Sequence, residues 1–151
     1  MKEAETATTS SHAAFFRYLE RGMLCDTRPL MGVVDINERT FLFACRILEL
    51  CEKLQRAGGV ARHAAPQLLR SGTSIGANLE EAVGGQTKPD FITKVCIAQK
   101  EAREAKYWLR LLQVRQLLRN ENLAPDIQEA DEIIAILTAI VKRARSSPSR
   151  G

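Results

Sequence analysis

Gly58-Gly59, Gly84-Gly85 and Asn120-Glu121-Asn122 cut this chain, from about residue 36 onward, into four stretches of roughly 20 to 30 residues whose apolar positions recur every three or four. That period is helical, because residues three and four apart share one face of an α-helix. Glycine pairs end helices by supplying backbone conformations that side chains resist. Connections this short place consecutive helices antiparallel. The predicted fold is therefore all-α: an up-and-down antiparallel four-helix bundle over residues 36–146. An N-terminal extension covers 1–35 and a disordered tail 147–151. The 151 residues suit one domain with its own core, and aromatics are only 5% against abundant Ala, Leu, Glu, Arg, Lys and Gln.

The spacing predicts helix one from Glu38 to Arg56, N-capped by Asp35 or Asn37, with Phe41, Ala44, Cys45, Leu48 and Cys51 facing the core. Helix two runs to Val83 from Val60, or from Ala65 if Pro66 occupies its first turn. Its apolar line is Leu68, Gly72, Ile75, Leu79 and Ala82. Thr87-Lys88-Pro89-Asp90 reads as an N-cap with proline just inside helix three, predicted from Pro89 to Arg119. That helix carries the stripe Phe91, Val95, Ala98, Ala102, Ala105, Leu109 and Leu112. Helix four, Pro125 to Arg145, has acids early and Lys142, Arg143 and Arg145 late, as the helix dipole favours, and a core face of Ile127, Ala130, Ile134, Leu137 and Val141.

Several function classes lack residues to perform them. Cys25, Cys45, Cys51 and Cys96 form no C-x-x-C pair and read as small buried hydrophobes in a reducing cytoplasm. The amino terminus does not resemble a secretory leader, and no apolar run reaches the roughly 20 residues of a membrane span. A di-metal bundle needs Glu-x-x-His motifs, whereas His12 and His63 do not follow a glutamate by three. No phosphate-binding loop or nucleophile motif is present. The expectation is a cytoplasmic non-enzyme with no cofactor and no metal.

Two constellations remain. Ser71, Ser74, Asn78 and Glu81 make a polar line on helix two, either a buried hydrogen-bond network that sets helix register or a ligand site, with Lys94, Lys100 and Glu101 of helix three within reach across the bundle. Between Lys88 and Arg119 the net charge is +5, more than the +4 of the whole chain. On this helix Lys100, Arg103, Lys106 and Arg110, with Tyr107 and Trp108 beside them, suit contacts to nucleic-acid phosphates and bases. The alternative is a solvated face neutralised by internal pairs such as Lys100–Glu104, with Trp108 packed on a neighbouring helix or subunit.

The segments Leu69 to Ala82, Asp90-Phe91, Ile97 to Glu104 and Tyr107-Trp108-Leu109 together resemble the bacterial 23S rRNA intervening-sequence proteins, over about residues 36–145. The resemblance implies an up-down bundle, often a homopentamer, without established enzyme activity. A similar bundle, the accessory variability determinant of diversity-generating retroelements, binds a reverse transcriptase and nucleic acid through a basic surface. The expected function is thus an oligomeric bundle that binds RNA or DNA, with a reverse transcriptase as a possible partner. The alternative is an adaptor ring that engages proteins alone. The thin Gly/Ala surface of helix two offers a physical motive for ring contacts.

Overall fold

The computed structural model describes residues 35–146, four helices in the predicted order: α1 Ile36–Ala57, α2 Gly59–Val83, α3 Lys88–Val114 and α4 Ala124–Ser146. Local chemistry accounts for their ends. Asp35 caps α1, its Oδ1 accepting from the Asn37 amide at 3.4 Å, and Thr87 caps α3, its Oγ1 accepting from the Asp90 amide at 3.3 Å. Gly58 and Gly59, at φ +70° and +52°, reverse the chain between α1 and α2 in a conformation that other residues adopt only under strain.

Two boundaries differ from the sequence expectation. Helix α2 starts at Gly59 and passes through Pro66 without a restart, so Ala65 is not its beginning. Pro66 lies on the exposed side, where the carbonyl it leaves without a donor can turn to water. Helix α3 ends at Val114, five residues before Arg119. Gln116 takes φ +51°, and the Leu117 amide bonds back to the Leu112 carbonyl at 3.1 Å, which closes the helix end. The chain thereby leaves the helical track, so Leu117 and Leu118 pack against the core beside buried Leu123.

The helices pack in ring order, α1 on α2, α2 on α3, α3 on α4, with α4 returning to α1 along the loosest of the four seams. The core runs through Phe43, Ile47, Leu50 and Leu54 of α1, Leu68, Ile75 and Leu79 of α2, Val95, Leu109 and Leu112 of α3, and Ile133 and Leu137 of α4. Buried alanines at 98, 102 and 105 keep α3 close to its neighbours. The predicted lines of α2 and α3 are buried as expected, except that Phe91 is half-buried. On α4, Ile133 is buried where Ile127 and Ile134 are only half-buried.

The face assigned to α1 needs correction. Thr40, Phe43, Ile47, Leu50, Cys51 and Leu54 are buried, whereas Phe41 and Leu48 are 49% and 48% exposed. This helix is apolar around most of its circumference, so spacings of three and four fit two phases equally well. Tertiary contacts choose between them. Gly72 of α2 receives Ile47, leaving so little room that a Cβ there would lie 2.8 Å from both Ile47 γ-carbons. On the other side Arg39 pairs with Glu129 and Glu132, while Arg46 meets Asp126 at 3.0 Å and Glu121 at 3.2 Å. Lys53 joins Glu121 at 2.6 Å. The thin surface at Gly72 is therefore used inside the protomer, against α1.

Candidate nucleic-acid interface

Among the described residues no group of three or more His, Cys, Asp or Glu side chains is placed to hold a metal ion, and no helix is long and apolar enough to cross a membrane. His63 is exposed on α2; His12 and Cys25 lie outside the described residues. Cys51 is buried, its thiol donating to the Ala65 carbonyl at 3.4 Å, and burial pushes its pKa up to about 11. Cys45 and Cys96 are only half-buried, so burial holds for one of the three described cysteines.

Two members of the polar line of α2, Ser71 and Asn78, bond back within their own helix. Ser71 is buried, and its hydroxyl donates to the Gln67 carbonyl at 2.9 Å. The Asn78 amide donates to the Ser74 carbonyl at 2.8 Å, and both residues are half-buried. Such back-bonding to the preceding turn removes the need for a partner on another helix. Only Glu81, which is exposed, crosses to α3, where it pairs with Lys94. The four residues therefore enclose neither an interhelical network nor a cavity.

On α3 the charges sort by direction. Glu101 and Glu104 turn toward α2, where Arg70 holds Glu101 at 3.1 Å and also pairs with Glu104. That Arg70 hydrogen bond is the main reason the Glu104 carboxyl sits below its ordinary pKa. The indole of Trp108 donates to Glu104 at 3.4 Å and packs against the core, so Trp108 belongs to the α2–α3 seam. The Lys100–Glu104 pair expected from their spacing does not form, because Glu104 is already engaged.

Toward α4, Lys106 is half-buried and pairs with Asp131 at 2.5 Å, and Gln99 bonds Thr138 at 2.5 Å. Lys106 is thereby part of a seam, apart from the other three candidates. Lys100, Arg103 and Arg110 are exposed, and no described carboxylate pairs with them. With Tyr107 they follow spacings of three, four and three along the outer side of α3, a stripe about 15 Å long at the helical rise.

Arg103 also lines a shallow groove between α3 and α4 with Gln99, Thr138, Lys142, Arg145 and Ser146. Three cations and no acid face that groove. Within it the Arg145 guanidinium lies 3.8 Å from the Cys96 sulfur. In the sequence Lys142 and Arg145 complement the helix dipole, and cations of the carboxyl terminus join those of helix three in the expected nucleic-acid surface. The antiparallel register that joins Gln99 to Thr138 and Lys106 to Asp131 brings them beside α3, and the sequence contains no local signal of that register.

The 23S rRNA-intervening sequence protein family model matches residues 34–139. A crystal structure of a protein of unknown function from the S23 ribosomal protein family of Bacteroides thetaiotaomicron is 38% identical, with a TM-score of 0.66 over 72% of this chain and 99% of that one. No curated protein matches the chain. A family match across well over half the sequence, together with a solved relative of the same fold, leads to one conclusion: this chain belongs to the 23S rRNA-intervening sequence protein family.

Proposed function

We propose that this protein is a non-enzymatic, ring-forming bundle that binds RNA or DNA through the cationic surface of α3 and α4, as an accessory to a nucleic-acid-copying enzyme such as a reverse transcriptase. The observation that carries this reading is the absence of acidic partners around Lys100, Arg103 and Arg110, continued by Lys142 and Arg145 across the groove. Arg39, Arg46, Lys53, Arg70, Lys94 and Lys106, by contrast, are each paired with a specific carboxylate. Unneutralised cations on one surface attract a polyanion and release its counterions on contact.

The ring assembles through a different side of the protomer. Phe41, Leu42 and Leu48 are exposed on α1, which lies diagonally across the bundle from α3 and makes no close packing with it. Apolar contacts between copies there, in the homopentamer that the family resemblance implies, leave the cationic surface accessible. The same apolar residues favour the second reading, an adaptor ring that binds a protein partner without touching nucleic acid.

Salt dependence separates the two. Five phosphate contacts predict an affinity that falls by about two to three orders of magnitude between 50 and 200 mM salt. Replacing Arg103, Arg110 and Lys142 together by alanine lowers affinity at least about tenfold and flattens the salt slope by 2 to 3. Undetectable binding to RNA and DNA at about 50 mM salt, or a triple variant that binds like the parent, refutes direct binding. A protein partner that co-purifies after nuclease treatment then establishes the adaptor. Light scattering tests the ring, which is refuted by a mass equal to the 16.8 kDa protomer.

A further inference from the structure

We propose that the α3 surface selects single-stranded nucleic acid, with an unpaired base stacking on Tyr107 between phosphates held by Arg103 and Arg110; this rests on the nucleic-acid reading above. Tyr107 is 60% exposed, a high value for a large aromatic side chain. It follows Arg103 by four residues and precedes Arg110 by three, so all three side chains occupy one outward stripe. Lys100, three residues before Arg103, extends the stripe by another turn.

The ring is also held in place from behind. The Tyr107 and Trp108 ring centroids are 5.4 Å apart at 77°, an edge-on contact, and Trp108 is itself anchored against the core and to Glu104. Tyr107 thus presents a supported aromatic surface with cations one helical turn to either side. That order of groups, cation then aromatic then cation, matches a strand whose bases are free to turn toward the protein between successive phosphates. A duplex offers only base edges in its grooves and keeps the base faces stacked inside, so a ring on this stripe finds no base face to stack on. Trp108, half-buried in its seam and bonded to Glu104, does not add a second platform.

The test compares oligouridylate and oligothymidylate of about 15 nucleotides with a duplex of equal length, by fluorescence anisotropy at about 50 mM salt. The expected result is tighter binding of the single strands, a loss of about fivefold or more for Tyr107→Ala on single strands alone, and recovery in Tyr107→Phe, which keeps the ring without the hydroxyl. Equal affinity for duplex and single strand, with Tyr107→Ala indistinguishable from the parent, overturns single-strand selection and leaves phosphate binding intact. Failure of all three probes to bind overturns the parent reading. If Tyr107→Ala instead changes the assembly mass by light scattering while affinity per protomer is unchanged, Tyr107 is a subunit contact and the proposal falls.

Discussion

Gly72→Ala places a methyl group where the structure has no space for one. The added Cβ would lie 2.8 Å from Cγ1 and Cγ2 of Ile47 and 3.1 Å from its Cβ. These are the near atoms of a β-branched, fully buried side chain, so rotation about χ1 moves one γ-carbon away only by bringing another in. Forcing a methyl into a packed core costs about 1–3 kcal/mol, and alanine recovers about 1 kcal/mol of helix propensity over glycine. The overlap with two γ-carbons puts the strain near the upper end, so the net loss is about 1–2 kcal/mol. Gly76→Ala is the control, since its nearest neighbour is the Thr40 hydroxyl at 3.5 Å, an ordinary contact. There the propensity gain stands alone, and the variant should be more stable by about 0.5–1 kcal/mol. Urea unfolding followed by circular dichroism measures both. Ile47→Ala removes both offending carbons, so Gly72→Ala in that background should lose its penalty, a coupling read from the double-mutant cycle. A Gly72→Ala variant at least as stable as the parent, or a penalty that persists without Ile47, refutes this account of the α1–α2 contact.

Three further outcomes are expected. Arg46→Met leaves Asp126 and Glu121 without their shared guanidinium in a largely buried seam, and should cost about 2–4 kcal/mol in denaturant unfolding. The hydrogen bond from Lys53, assisted by Arg46, holds the Glu121 carboxyl below its ordinary 4.5. Its stabilisation is therefore complete above that value and lost as pH falls through the lower folded pKa. Burial raises the Asp126 carboxyl above its ordinary 3.8 with Arg46 opposing, so its contribution has the other sign, present at acid pH and lost as pH rises through the folded pKa. Unfolding midpoints between about pH 3 and 6 should accordingly show a shallower acid loss in Glu121→Gln and a steeper one in Asp126→Asn. Gln116→Gly relieves a side chain from φ +51° at the α3 terminus and should add about 0.5–1 kcal/mol, seen as a raised Tm.

The features read correctly from the chain are those whose causes are local. The Gly58-Gly59 reversal, the Thr87 cap and the buried lines of α2 and α3 each follow from residues within a turn or two of one another. The α1 face was ambiguous because its apolar residues fill two helical phases, and its burial depends on Gly72 and on acids some 75 to 93 residues further along. Of the four cations singled out on α3, Lys106 moved into a seam because Asp131 stands opposite it. The other three remained outside because Arg70 draws Glu101 and Glu104 to the far side.

Periodicity, caps and breakers thus determined by themselves that this protein is a four-helix, antiparallel, all-α chain with a cationic third helix, since each acts over a few residues of backbone. Which face of α1 is buried, which cations stay unneutralised, and that Arg103 shares a groove with Lys142 and Arg145 were decided only by the tertiary structure. Those outcomes depend on helix register and on competition among side chains for the same partner, and both exist only once the helices have met.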